Sequence, residues 1–180
     1  NSGLVVTLEP EDLQPYERYP GDPLAGIALQ RDLEQRAFRS GGETYAAPAQ
    51  RLEDFLAGCP STTLGTIAAS YQPGITPTDL APVLPQPILT ALREALPQFA
   101  RRLQGYDHPD AVLTAVETRT SSPVRIPRDG QLESLNTRGL IPAGEGAGYA
   151  GGILSAGIDG IRAAEAMAAQ LQAASSKSAA

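Results

Sequence analysis

Apolar residues recur at helical spacing in several stretches of this 180-residue chain, and turn formers break the stretches between them. From Pro23 to Phe38, Leu24, Ile27, Ala28, Leu33 and Phe38 fall near one face; Pro23 suits a first helical turn and Ser40-Gly41-Gly42 a stop. Pro48 to Leu56 predicts a shorter helix, with Leu52, Phe55 and Leu56 on one side and Gly58 ending it. The clearest stripe is Ile88, Leu92, Leu96, Phe99 and Leu103, which predicts a helix from Pro87 to Leu103, kinked or broken at Pro97. A last helix is expected from about Gly152 to Gln172, carrying Ile153, Ile161, Ala164, Ala168 and Leu171 together with Gly157 and Gly160. Each interior glycine costs roughly 1 kcal/mol against alanine, which makes sense if a neighbouring element lies almost against the helix.

Strand signals sit at the two ends. Leu4-Val5-Val6-Thr7-Leu8 is β-prone, Ala111 to Thr118 is apolar on both faces, and Val124-Arg125-Ile126 and Leu140-Ile141-Pro142 are short apolar runs. Residues 59–76 read as mostly loop, and residues 173–180 as a frayed tail. The fold class is therefore α+β, a helical middle flanked by short strands.

Composition narrows the function only coarsely. A hydrophobic content of 42% and a net charge of −6 describe an ordinary globular chain. Its acidic balance argues against nucleic acid or an anionic membrane as partner, because both need clustered positive charge. The single Cys59 excludes an intrachain disulfide and suits a reducing cytoplasm. No apolar run of about 18 residues is present, so no membrane span is expected. His108, the one histidine, lies in a turn, which leaves neither a metal ligand set nor a hydrolase triad. No catalytic residue is assigned.

The chemistry concentrates near the carboxyl end. Seven glycines fall between residues 144 and 160, and Gly146-Ala147-Gly148-Tyr149-Ala150-Gly151 fits G-x-G-x-x-G. A loop this bare before a helix exposes main-chain N–H groups to a flat or phosphorylated ligand at the positive end of the helix dipole. An opening dinucleotide motif needs a second strand after the helix, and none follows. The motif is thus expected to close a domain as strand, glycine loop and helix. The plainer alternative is a tight turn whose small residues serve packing. Arg119, Ser121, Ser122 and Arg125 surround a predicted turn; they line a pocket wall able to bind an anionic group, or are simply solvated.

Val116 to Ile126, Gly139-Leu140, Gly144 to Ile153 and Ala156 to Ile161 resemble the C-terminal end of the bacterial uncharacterised FAD-dependent oxidoreductases, or NAD(FAD)-utilizing dehydrogenases. Asp22 to Gly26, Ala47 to Arg51 and Ala91 to Pro97 are similar too, so the resemblance spans nearly the whole chain and is sharpest at 116–126 and 144–160. It implies that residues 1–19 form a strand and linker, 20–110 belong to a helical inserted substrate domain, and 111–172 return to a Rossmann-like FAD-binding domain. It also implies that Gly144, Glu145, Gly146, Gly148, Gly151, Gly152 and Ile153 contact the ribityl chain and pyrimidine edge of FAD. The adenosine-binding strand, loop and helix of such flavoproteins is not recognisable here, and the chain starts Asn-Ser-Gly. The expected object is the excised C-terminal part of a dehydrogenase, inactive and unable to hold FAD stably by itself. Its partners would be the N-terminal FAD-binding portion and a small substrate, with use of NAD(P)H left open. The competing expectation is a non-catalytic interaction or assembly domain that keeps a flavoprotein shape; a stand-alone nucleotide binder is disfavoured by the absent second strand.

Overall fold

The structure, a computed structural model, describes residues 2–178. Its elements are a 3-10 helix at Pro10–Tyr16, α1 (Ala25–Ser40), β1 (Ala47–Arg51), α2 (Leu52–Ala57), β2 (Ile75–Pro77), α3 (Gln86–Ala100), β3 (Val112–Thr114) and α4 (Ile153–Ser178). Helices with a small three-stranded sheet make this an α+β chain. Two compact units emerge: one from residues up to Tyr16 plus Ala28–Thr118, the other from Glu17–Ile27 plus the residues from Arg119 onward.

In the first unit the sheet order is β2-β1-β3, with β1 parallel to β2 and antiparallel to β3. Residues 48–51 were expected to begin a helix, yet they are strand, and the helix starts only at Leu52. Ala-Pro-Ala-Gln-Arg has no β-branched residue to announce a strand; ladders on both sides override local propensity. Pro48 tolerates the central strand because its carbonyl, not an N–H, is what β3's neighbour Ala115 needs, at 3.1 Å. Gln50 is fully buried and bonded at both ends: Nε2 donates to Cys59 O at 2.7 Å, and Oε1 accepts Leu80 N–H at 2.9 Å. It pins the loop after α2 to the turn before α3.

The core joins Ala37, Leu52, Phe55, Leu80, Val83, Leu84, Leu89 and Leu96. Arg93 of α3 donates to Phe55 O at 2.9 Å while its guanidinium lies over the Phe55 ring, so it caps the carbonyl end of α2. α3 runs through Pro97 to Ala100 and is not interrupted at Leu96. That proline forfeits one N–H bond close to the helix end, where buried Leu96 holds the last turns to the core. The inner line of α1 is Ala25, Leu29, Leu33 and Ala37; Phe38, expected on that face, is half exposed.

The expected strand at 4–8 joins no ladder, although Leu4, Val6 and Leu8 are half-buried and Val5 and Thr7 exposed in alternation. The stretch 111–118 contributes only Val112–Thr114 as strand.

In the second unit neither 124–126 nor 140–142 forms a ladder strand, so the expected closing strand is absent, while its loop and helix are present. Helix α4 extends to Ser178, so residues 173–178, expected as a frayed tail, are helical; residues 179 and 180 lie outside the described residues.

Candidate functional site

The second unit is organised around the glycine loop. Ser122 bends the chain: its Oγ donates to Val124 O at 2.8 Å, with Gly146 O 3.2 Å away, and accepts the Val124 N–H at 3.4 Å. The next residues run along the loop. Ile126 N–H donates to Ala147 O at 3.1 Å, Tyr149 Oη donates to Ile126 O at 3.0 Å, and Arg128 N–H donates to Tyr149 Oη at 3.1 Å. Gly148 has φ +81°, and a Cβ there would stand 2.5 Å from Val124 O and 2.9 Å from Arg125 Cα. Close packing, not a ligand, demands that glycine.

Two guanidinium groups lie over the Tyr149 ring, Arg125 at 4.3 Å and Arg128 at 3.6 Å from the ring centre. Its ring and hydroxyl are both occupied by this chain's own groups. Arg128 continues inward, donating to Pro142 O at 2.6 Å and to both Asp159 oxygens at 3.0 and 2.6 Å. Asp159 Oδ2 also accepts the Gly144 N–H at 2.8 Å. The Arg128 bonds, and then the Gly144 N–H, outweigh burial and hold the Asp159 carboxyl down to about 2. The same pairing raises the Arg128 guanidinium further. One buried carboxylate thus ties the start of the loop to the side of α4 and to residue 128.

Beyond this anchor the loop is open. Neither Gly151, Gly152 nor Ile153 gives its N–H to an acceptor among the described residues; the first turn closes with Ala156 N–H on Gly152 O at 2.9 Å. A Cβ at Gly146 would meet nothing within 4 Å, and one at Gly151 only Ser121 Oγ at 3.8 Å. The half-buried Glu145 side chain makes no hydrogen bond or ion pair among the described residues. Free N–H donors and an uncommitted carboxylate are the kinds of group that the pyrimidine edge and the ribityl hydroxyls of a flavin would engage, so the chemistry of these residues is compatible with that group.

The residues expected from sequence therefore divide. Glu145, Gly146, Gly151, Gly152 and Ile153 present open groups, whereas Gly144 and Gly148 are committed to the fold. Among the expected pocket residues, Ser122 staples the bend and Arg125 stacks in solvent on Tyr149; Ser121 stands beside Gly151, and Arg119 is exposed and engaged with a partner. The Arg128–Asp159 pair was not anticipated. Thirty-one residues separate the partners, and Arg128-Asp129-Gly130 reads locally as a turn.

In the first unit, Arg51 pairs with Glu53 at 2.9 Å and Asp110 at 3.0 Å, and Arg36 pairs with Asp32. Arg39 borders a shallow open groove along α1. Cys59 is exposed and free. Among the described residues no group of three or more His, Cys, Asp or Glu is placed to hold a metal, and no helix is long and apolar enough to cross a membrane.

Comparison with known proteins agrees with a flavoprotein origin. The family model described as "FAD-dependent protein, C-terminal domain-like" matches residues 1–120. The chain belongs to this family of FAD-dependent protein C-terminal domains. An uncharacterized protein of Clostridium beijerinckii is 47% identical over 165 residues, a stretch that covers 92% of this chain. This chain spans only 30% of that relative's length.

Proposed function

We propose that this chain completes the flavin site of a longer FAD-dependent oxidoreductase of the dehydrogenase type. Its residues 111–172 act as the last segment of a Rossmann-like FAD-binding domain, and residues of about 20–110 as part of a helical substrate domain. The observation that carries the reading is the set of unpaired N–H groups at Gly151, Gly152 and Ile153 where α4 begins. These donors would meet the pyrimidine edge and favour negative charge there. Glu145 would accept a hydrogen bond from a ribityl hydroxyl, and Gly146 leaves room for it. The bound flavin would accept or pass on hydride or electrons. The chain's own residues bind and orient it, while Ser121 and Arg125 border the substrate side, where the guanidinium attracts an anionic group. The N-terminal FAD-binding portion of the same polypeptide, a small substrate and, where it is used, NAD(P)H complete the system.

The test is direct. A full-length polypeptide carrying this segment should purify yellow, and NADH or substrate should bleach it. Gly151→Ala should leave the fold intact, since its Cβ meets only Ser121 Oγ at 3.8 Å, yet weaken flavin retention. A colourless full-length protein would favour the non-catalytic assembly domain instead. The isolated 180-residue chain is expected not to retain FAD.

A further inference from the structure

Helix α4 presents two unlike faces. Asp159, Ala163 and Gln170 face their own unit: Asp159 binds Arg128, Ala163 is buried, and Gln170 Nε2 donates to Gln131 O at 3.2 Å. On the opposite arc stand Ile153, Leu154, Ile158, Ile161 and Leu171, each between 52% and 93% exposed. Gly157, Ala164 and Ala168 lie among them, and the exposed Glu165 and Gln172 interrupt the apolar surface on the same arc. Apolar residues scattered singly over a surface need no explanation, but a row this long on one helix marks an interaction face.

We infer that this face of α4 packs against the flavin-binding remainder of the full-length polypeptide. The inference rests on the flavin reading given above and names the surface it requires. The apolar row begins at Ile153 and Leu154, the first residues of the helix whose N-terminus meets the flavin. Whatever supplies the other flavin contacts must arrive at that same end. A polypeptide of the relative's size has chain enough to do so, because the matched segment covers only 30% of it. Small residues in the row let another backbone approach closely, and a Cβ at Gly157 or Gly160 would meet nothing within 4 Å here. No part of the described chain therefore needs those two glycines. A lipid surface fits poorly: the helix carries Arg162 and Lys177 against Asp159 and Glu165, without the basic cluster that draws an amphipathic helix to anionic membranes.

The test compares maleimide labelling of Ile161→Cys, on a Cys59→Ser background, in the 180-residue chain and in the full-length flavin-loaded polypeptide, read peptide by peptide by mass spectrometry. Arg162→Cys, exposed on the neighbouring flank, is the control. Labelling at Ile161→Cys should slow by about tenfold or more in the full-length protein, with the control slowed far less. Equal rates at Ile161→Cys in both proteins overturn the inference. So does protection that appears in the 180-residue chain alone and grows with its concentration, which identifies a second copy, or protection that needs phosphatidylglycerol vesicles. Visible absorbance of the same samples separates the two readings. Protection in a colourless protein sinks the flavin site and keeps the docking face; free labelling in a yellow one does the reverse.

Discussion

Arg128 and Asp159 form a two-pronged ion pair, at 2.6 and 3.0 Å, whose side chains are only 10% and 8% exposed. Because Asp159 also holds the Gly144 N–H, one carboxylate fixes the start of the glycine loop. Asp159→Asn keeps an acceptor for Gly144 but strands a buried guanidinium. We expect a loss of about 3 kcal/mol, the scale for breaking a buried pair, seen as a lower urea midpoint for the second unit. An unchanged midpoint would show that the pair is dispensable.

The same pair sets a pH dependence. Its carboxyl lies near 2 in the folded chain against an ordinary 3.8. A depressed folded value means the stabilisation is complete above the ordinary value and disappears as pH falls through the folded one. The stability difference between wild type and Asp159→Asn should therefore be constant near neutrality and shrink between about pH 4 and about pH 2. A difference that stays constant down to the lower limit contradicts the assignment.

Two glycines in one loop should respond unequally. Gly148→Ala places a methyl 2.5 Å from Val124 O at φ +81°, and a loss of about 2 kcal/mol or more is expected. Gly146→Ala meets nothing within 4 Å, so its unfolding free energy should stay within about 0.5 kcal/mol of wild type. Equal effects at the two positions would refute this division.

These contrasts show where the sequence was readable. The spans of α1 and α3 could be seen directly, because apolar positions repeat along a continuous stretch; the inner face of α3 could be seen only in part, since Leu96 is buried as expected but Leu89 is buried too, while Phe99 and Leu103 are exposed. β1 could not, since Ala47 to Arg51 owes its strand state to ladders with Ile75–Pro77 and Val112–Thr114, both remote in sequence. The runs at 124–126 and 140–142 looked like strands for their apolar content, yet their neighbours bond them through loops and side chains. In the site, the loop-to-helix junction was legible from its glycines alone. Which glycines serve packing was not, because that depends on Val124, Arg125 and Asp159 approaching from elsewhere.

Gln50 offers a test in the first unit. Truncation to Ala removes the bond to the Cys59 carbonyl and leaves the Leu80 N–H without its acceptor in a buried position. A loss of about 3 kcal/mol is expected, with faster hydrogen exchange at the Leu80 amide. Exchange unchanged at that amide would mean another acceptor replaces the glutamine.

Gly157 and Gly160 probe α4 without touching the site. Glycine in a helix interior costs up to about 1 kcal/mol against alanine through backbone entropy, and nothing in this chain lies within 4 Å of a methyl at either position. In the 180-residue chain each Gly→Ala change should therefore stabilise the helix, raising ellipticity at the helical minimum and the melting temperature. In a full-length polypeptide the same methyl groups stand on or beside the face proposed to take another backbone, so the sign should reverse and flavin retention fall. Stabilisation in both contexts would leave the two glycines without any packing role, and the small residues of that face would then be incidental to how the protein assembles.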